Sequence, residues 1–298
     1  MNLRSLFEAV SWQVRGPFAV SPIRDLGFAA RGAFQLGELR ARRVAMRSLG
    51  PTDLAIDPEA GYVRLPADSR FDAVAETGSS IAGANVGANV GGKEFFRARF
   101  SSASEVELLL RAALDRRILA AVANYLGMLP VICEADYYCS VPHGPPWSKS
   151  QLWHCDDDAA RMVKLFVYCE DVATENGPFE LVDAGASARA RRALGYRYAG
   201  RRYRVSDAAM DAHVSCAEQL AFDGPRTSGF LIDTSRCFHR GSRIVAADKR
   251  RVAAIVTYVQ ANARKLPLRL RGGHAPMTHF ATLFDDAIDR AVLGVPTG

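Results

Sequence analysis

The sequence lacks paired cysteines, a long apolar run and a phosphate-binding loop, three features that would each have indicated a class of protein. None of its six cysteines forms a C-x-x-C pair. In a chain of 298 residues such isolated cysteines indicate reduced thiols rather than a disulfide framework. They are Cys133, Cys139, Cys155, Cys169, Cys216 and Cys237.

No apolar stretch is long enough to cross a bilayer, and no secretory leader is evident. The best candidate span, residues 118–132, is interrupted by Asn124, Gly127 and Pro130. Near the start of the chain, charged residues at positions 4, 8 and 15 break the apolar segment that a signal peptide requires. The sequence therefore predicts a soluble protein of the cytoplasm without a transmembrane segment.

Small residues fill the stretch 77–92, which has the sequence TGSSIAGANVGANVGG. This stretch lacks the Lys-Ser/Thr ending of a P-loop, which argues against a nucleotide-binding role. Its glycine content disfavours regular structure and predicts a flexible loop. A lid over an active site is the alternative interpretation.

The chain is basic, with a formal net charge of +6 and a pI of about 9.1, and arginine far outnumbers lysine. This balance favours an anionic partner, such as a phosphate, a sulfate, coenzyme A, a nucleic acid or a membrane surface. The same balance also occurs in enzymes that have no such partner. Charge alone therefore does not select among these classes.

Hydrophobic periodicity favours helices in the first part of the chain and strands after residue 129. Ser102-x-x-Glu105 has the form of a capping box, and the apolar spacing behind it predicts a helix that ends near Gly127. From Pro130 onward the pattern favours strands, beginning with residues 131–140. Further predicted elements are helices at 3–14, 36–47 and 278–293 and a short strand at 62–65.

A histidine and a carboxylate stand two residues apart at His154 and Asp156, just ahead of an apolar segment. Side chains alternate along a strand, so these two point to the same face and form two corners of a metal site. A third ligand is available at His239, which follows a second apolar strand. Two histidines and one carboxylate with open positions opposite them favour non-haem Fe(II) and its oxygen chemistry.

Four segments in this order carry a family resemblance: QLWHCDDD, KLFVYCEDV, ENGPFELV and FLIDTSRCFHRG. Together they resemble the phytanoyl-CoA dioxygenase-like branch of the Fe(II)/2-oxoglutarate-dependent oxygenases. The resemblance implies an all-β core with flanking helices (α+β), folded as a cupin-like jelly roll or double-stranded β-helix. It implies one domain over residues 1–298, with a mainly helical support at 1–128, a core at 129–261 that contains an arginine-rich insert at 186–222, and a helical tail at 262–298.

The resemblance also implies the reaction and its cofactors. Fe(II) bound by His154, Asp156 and His239 would use 2-oxoglutarate and O2 to oxidise an unactivated C–H bond. Because Asp156 is a carboxylate, no coordination position is vacated for a halide, and hydroxylation or desaturation is expected rather than halogenation. The favoured substrate is a small metabolite, with an anionic or carrier-linked one among the options. The alternatives are a nucleic-acid demethylase and a catalytically silent cupin-like binding protein.

In this family an arginine on the strand after the distal histidine binds the far carboxylate of 2-oxoglutarate, through bidentate pairing. The candidates here are Arg250 and Arg251, and only one of two consecutive strand residues can face the interior. Counting back from Tyr258 selects Arg251, whereas counting forward from His239 selects Arg250. We predict that Arg251 binds the co-substrate.

Three further polar residues are candidates for the same cavity: Lys164, Gln151 and Thr257. Lys164 opens an apolar strand, where a buried ammonium without an anion would be costly. The family's Pro-Gly-Ser-His turn is replaced here by residues 183–187, so its usual contacts are not transferred. Beyond it, residues 189–204 hold seven arginines and three tyrosines. They predict a solvated helical insert, or a surface for an anionic small molecule; a nucleic-acid strand is the less favoured option.

Overall fold

The computed structural model describes residues 22–85, 95–98, 102–196, 203–241, 243–267, 270 and 276–297. The predicted helix at 3–14 lies outside these residues, as do parts of the glycine-rich stretch and of the arginine-rich insert. Within the described ranges, no helix is both long and apolar enough to span a membrane.

Two antiparallel sheets form the core. The large sheet has six strands in the order β1-β7-β4-β9-β3-β2, and the small sheet has three in the order β6-β5-β8. Both orders pair strands that are distant in sequence, which agrees with the predicted jelly-roll class. The strands are β1 (Tyr62–Leu65), β2 (Phe95–Ala98), β3 (Val131–Ser140), β4 (Met162–Tyr168), β5 (Phe179–Val182), β6 (Gln219–Phe222), β7 (Gly229–Ile232), β8 (His239–Arg240) and β9 (Arg251–Val259).

Alternation along the central strands separates two apolar layers. On β4, Leu165 and Val167 pack with the helices that cover one face of the large sheet. Phe166 and Tyr168 point the other way and pack against the small sheet. Lys164 shares the parity of Phe166, so it lies on the face between the sheets. This inter-sheet face positions the site described below.

Helices pack against one face of the large sheet, and a buried arginine connects three segments that are distant in the sequence. Arg42 is fully buried and donates hydrogen bonds to the carbonyl oxygens of Pro130 (2.9 Å) and Ala291 (2.8 Å). It thereby joins an N-terminal helix, the start of β3 and the C-terminal segment. The α-helices are Pro22–Phe34, Leu36–Ala45, Asp72–Asn85, Ala103–Ala113, Arg116–Leu126, Ala184–Leu194, Asp207–Asp211 and Ala287–Val292.

The predicted capping box is present, but the helix behind it is two helices. The Ser102 side chain accepts from the Glu105 backbone N–H, and the Glu105 carboxylate accepts from the Ser102 backbone N–H. The break falls at Asp115, whose side chain accepts from the backbone N–H groups of Arg117 and Ile118 and so starts a second helix. That helix ends at Gly127, where φ is +72°.

The prediction of a loop at 77–92 is wrong as far as residue 85, because Asp72–Asn85 is a helix. Its small residues allow close packing. A Cβ added at Gly78 would lie 2.5 Å from the Cys169 Sγ and 2.8 Å from the Tyr137 ring. Glycine at position 78 lets this helix pack closely against the large sheet. In the sequence, the glycine content of this stretch had instead predicted a flexible loop. In the tail, the single predicted helix is a short 3₁₀ turn at Thr278–Leu283 followed by Ala287–Val292.

Candidate metal centre

A pair of backbone hydrogen bonds brings the two histidine segments together. The His154 N–H donates to the His239 carbonyl at 3.0 Å, and the His239 N–H donates to the His154 carbonyl at 2.8 Å. The two imidazole centroids are 4.2 Å apart. The Asp156 N–H donates to the Thr234 carbonyl at 2.8 Å, which holds the third residue on the same face.

One nitrogen or oxygen of each of these three side chains lies within 4.8 Å of the others. The Asp156 carboxylate is 4.0 Å from the His154 Nε2 and 3.7 Å from the His239 Nε2. The three predicted ligands, separated by up to 85 residues in the sequence, therefore converge on one point. No other group with metal-binding potential is found in the described part of the chain.

Backbone carbonyls orient both imidazoles toward that point. The His154 Nδ1 is 2.8 Å from the Leu152 carbonyl oxygen, and the His239 Nδ1 is 3.1 Å from the Cys237 carbonyl oxygen. With Nδ1–H as the donor, each Nε2 keeps its lone pair for a metal. The Phe179 ring stacks on the His239 ring at 5.4 Å and further limits its rotation.

Electrostatics favour the protonation states that bind a cation. Burial lowers the pKa of His154 well below its usual value and lowers the pKa of His239 to about 4, so both are neutral at pH 7. Burial alone would raise the pKa of Asp156. The charge of Lys164, together with its hydrogen bond to the carboxylate, outweighs burial and holds that pKa well below its ordinary range.

The Lys164 Nζ lies 2.7 Å from the Asp156 Oδ2. Burial opposes the charge of this lysine, but the Asp156 carboxylate more than compensates and raises the pKa of Lys164. We predicted Lys164 as a candidate for the co-substrate cavity because a buried ammonium needs an anion, and the anion that it contacts in the structure is a protein carboxylate. That carboxylate belongs to the candidate metal ligand.

Arg251 and Thr257 lie on the same inter-sheet face of β9 as judged by strand parity. Arg251 is buried and donates to the Gly177 carbonyl oxygen and to the Ser140 hydroxyl, the latter at 3.2 Å. A Cβ added at Gly241, two residues after His239, would lie 3.2 Å from the Arg251 Nη2. The guanidinium is therefore next to the segment that carries the distal histidine.

The other predicted co-substrate residues have different surroundings. Arg250 points away from the interior and pairs with Glu170 at the surface. Gln151 is fully buried, but its side-chain oxygen accepts from the Ser148 backbone N–H at 3.2 Å, so it stabilises the loop before His154. The Thr257 hydroxyl is buried and has no hydrogen-bond partner among the described residues.

The described part of the arginine-rich insert includes a helix, as one of our alternatives expected, but only one face of it is solvated: Arg189 and Arg192 are exposed, whereas Arg191 is buried. Asp183 caps the helix Ala184–Leu194. On that helix Arg191 is buried and donates to the Cys155 Sγ and to the Ser235 carbonyl oxygen. Residues 197–202 of the insert lie outside the described residues.

Sequence reasoning missed two residues of the site. Tyr203 and Arg204, at the end of the insert, line a cavity of about 380 Å³ together with His154 and Asp156. The density of arginines and tyrosines at 189–204 was the available signal, but it gave no indication of which of them would face the metal point.

When the chain is compared with known proteins, similarity is found only to solved three-dimensional structures. No protein-family model matches the chain, and no curated protein matches it. Among solved structures, the carbocyclase SnoK from nogalamycin biosynthesis is 17% identical over 72% of this chain and 88% of its own, with a TM-score of 0.48. The epimerase SnoN, solved with Fe3+ and alpha ketoglutarate, is 16% identical over 76% and 85%, with a TM-score of 0.45. EctD from S. alaskensis, solved with 2-oxoglutarate and 5-hydroxyectoine, is 14% identical over 71% and 79%, with a TM-score of 0.48. Likeness at this level does not assign an activity to the chain.

Proposed function

We propose that this protein is an Fe(II)- and 2-oxoglutarate-dependent oxygenase that hydroxylates or desaturates a small metabolite. The observation that carries the proposal is the convergence of His154, Asp156 and His239 within 4.8 Å, with both imidazoles oriented by backbone carbonyls. Two neutral imidazoles and one carboxylate are the donor set of non-haem Fe(II) oxygenases. Membership of the phytanoyl-CoA dioxygenase-like branch is part of the same proposal.

The residues around this donor set fit the metal and its co-substrate. His154, Asp156 and His239 would hold the iron and leave its remaining positions open. When bound, iron and 2-oxoglutarate would supply the oxidation of a C–H bond by O2, with succinate and carbon dioxide as co-products. The protein supplies ligand geometry, a fixed position for each reactant and an inter-sheet face lined by aromatic side chains.

Two groups on β9 suit 2-oxoglutarate. Arg251 is buried close to the segment after His239, and burial lowers its pKa, so a carboxylate there would relieve an unfavourable charge. The Thr257 hydroxyl is buried without a partner among the described residues, and a ligand oxygen would satisfy it. We assign the distal carboxylate of 2-oxoglutarate to Arg251, with the Ser140 hydroxyl beside it.

A small-molecule substrate accounts for the described part of the insert better than a nucleic acid does. Of its arginines, Arg189 pairs with Glu218 and Arg191 is buried against Cys155. Tyr196 is also buried. These residues do not form the exposed row of cations and aromatic rings on which a strand of bases would stack.

The ligand assignment is tested by Fe(II) titration under anaerobic conditions in a calorimeter. Wild-type protein should bind one equivalent of Fe(II), and His239→Ala should lose this binding while its circular dichroism spectrum stays unchanged. His213→Ala is the matched control, because His213 is exposed and outside the site. Retention of full Fe(II) affinity by His239→Ala would refute the assignment.

The co-substrate assignment is tested with the two adjacent arginines. In Fe(II)-loaded protein, Arg251→Gln should weaken 2-oxoglutarate binding by about a hundredfold, because a charge-assisted bidentate pair is lost. Arg250→Gln should leave that affinity unchanged, since Arg250 is bound to Glu170 at the surface. Equal effects of the two substitutions, or a larger effect at Arg250, would contradict the assignment.

A further inference from the structure

The cavity of about 380 Å³ beside the metal point, called here the mouth cavity, is lined by seven residues, which include three carboxylates and one guanidinium. They are His154, Cys155, Asp156, Asp157, Asp158, Tyr203 and Arg204. Because it includes two of the three candidate metal ligands, a molecule held in it would lie next to the reactive centre.

Every carboxylate of the mouth cavity already has a cationic partner. Asp156 is paired with its lysine as described above. The Asp157 Oδ2 lies 2.7 Å from the Arg264 Nη2, and the Asp158 Oδ2 lies 2.9 Å from the Lys265 Nζ. The acidic groups are therefore neutralised by the protein itself, and they do not make the cavity a site for a cationic substrate.

Arg204 is the exception among these charges. Its Nη1 is buried and has no hydrogen-bond partner among the residues that the structure describes. Its Nη2 donates to the Tyr203 hydroxyl at 3.3 Å, and its guanidinium carbon lies 4.5 Å from the centre of the Tyr203 ring. The ring fixes the plane of the guanidinium through a cation–π contact, and its Nη1 group is left without an acceptor among the described residues.

A buried guanidinium N–H without an acceptor is costly, and an oxyanion is the ligand that satisfies it best. The same charge acts at the metal point: burial is the main cause of the low pKa of His154 and His239, and Arg204 is a lesser one. Arg251 lies apart from this cavity, between the sheets, so the two arginines are available for two different anionic groups.

We propose that Arg204 binds an oxyanion of the primary substrate, a carboxylate or a phosphate, and so places a neighbouring C–H bond at the metal. The proposal rests on the proposed function, because it assigns the substrate of that same site. It narrows the substrate class to anionic metabolites and gives Arg204 and Tyr203 a role in specificity, distinct from the co-substrate role of Arg251.

The test uses the full-length protein without metal, so its outcome does not depend on iron chemistry. Inorganic phosphate and acetate are titrated separately by calorimetry at constant ionic strength. At least one of them should bind the wild type, and Arg204→Gln should weaken that binding at least about tenfold. Arg264→Gln is the matched control, because this arginine is paired with Asp157, a carboxylate that lines the cavity, and does not line the cavity itself. It should keep the wild-type affinity.

The two anions distinguish a phosphorylated substrate from a carboxylic acid by which of them binds more tightly. Binding of neither anion to the wild type would overturn the proposal, as would equal affinities in the wild type and Arg204→Gln. Loss of anion binding in Arg251→Gln but not in Arg204→Gln would place the anion between the sheets and overturn it as well. Absence of Fe(II) binding would refute the proposed function but leave this anion titration unchanged.

A second measurement separates Arg204 from the co-substrate. In Fe(II)-loaded protein, Arg204→Gln should bind 2-oxoglutarate within about threefold of the wild type, whereas Arg251→Gln should not. If Arg204→Gln instead loses 2-oxoglutarate, then Arg204 is the co-substrate residue and the assignment to the primary substrate is wrong.

Discussion

Replacing Lys164 by methionine should have two opposite effects, one on the metal-free fold and one on metal binding. The Lys164 ammonium is 2.7 Å from the Asp156 carboxylate in a site where both side chains are only 18% exposed. In the metal-free protein the lysine ammonium therefore supplies the positive charge that balances the Asp156 carboxylate. Its removal leaves a buried carboxylate without its partner, and the same carboxylate becomes freer to bind a metal.

The size of the first effect follows from the distance. Two unit charges 2.7 Å apart interact by about 6 kcal/mol at an effective dielectric constant of about 20. The cost of desolvating the ammonium offsets part of this energy, and removal of one partner from a buried pair typically costs about 3 kcal/mol. We therefore expect Lys164→Met to lower the free energy of unfolding of the metal-free protein by about 3 kcal/mol.

A matched lysine pair lies a short distance away. The Lys265 ammonium is 2.9 Å from the Asp158 carboxylate, but the lysine is 40% exposed. Because water screens this pair, Lys265→Met should cost only about 1 kcal/mol or less. Urea denaturation of the metal-free variants at pH 7 measures both losses. Fe(II) titration of the same samples should show at least about tenfold tighter binding in Lys164→Met and no change in Lys265→Met.

Two results would refute this reasoning. If Lys164→Met loses no more stability than Lys265→Met, the ion pair with Asp156 does not stabilise the metal-free fold. If Fe(II) binds more weakly to Lys164→Met than to the wild type, then the lysine supports the metal rather than competing with it.

Three further predictions concern pH and packing. Burial lowers the pKa of His239 from 6.5 to about 4, so between these pH values the unfolded chain binds a proton that the native state does not bind. The metal-free protein should therefore lose stability as pH falls from 6.5 to 4. The urea midpoint should shift less over this range in His239→Ala than in the wild type, and an equal shift would contradict the prediction. Gly229→Ala should cost about 3 kcal/mol, because the added Cβ would lie 1.9 Å from a carbonyl oxygen of the next strand. Gly83→Ala, on an exposed helical position with nothing within 4 Å, should instead stabilise by about 0.5 kcal/mol, and similar melting temperatures for the two variants would refute the comparison. Arg42→Met should cost about 3 kcal/mol in urea denaturation, because the carbonyl oxygens that Arg42 binds stay buried without a donor, and a loss under 1 kcal/mol would show that they find other partners.

The sequence was informative where chemistry is local. His154 and Asp156 stand two residues apart, and this spacing alone indicated that they share a face, which the structure secures through hydrogen bonds to His239 and Thr234. The strand Val131–Ser140 and the capping box at Ser102 are likewise set by neighbouring residues, and both were predicted. Strand parity showed that only one of Arg250 and Arg251 can face inward, but counting back from Tyr258 and counting forward from His239 selected different residues, and the orientation of each is seen only in the structure.

The features that the sequence did not predict depend on contacts between segments that are far apart along the chain. Lys164 could be expected to need an anion, but the sequence did not reveal that the anion is Asp156 rather than a co-substrate. Glycine at position 78 has the same local preferences in a loop and in a tightly packed helix, and only the approach of Tyr137 distinguishes the two. The role of Arg204 likewise appears only once the end of the insert is placed against the metal point.

The central claim is that the site holds iron together with 2-oxoglutarate. The most direct measurement is the visible spectrum of the protein mixed anaerobically with Fe(II) and 2-oxoglutarate, followed by an assay for succinate once oxygen is admitted. We predict a weak visible absorption band and then succinate, with both absent in His239→Ala. A wild-type protein that binds Fe(II) but gives neither the band nor succinate would contradict the claim and identify a silent binding protein.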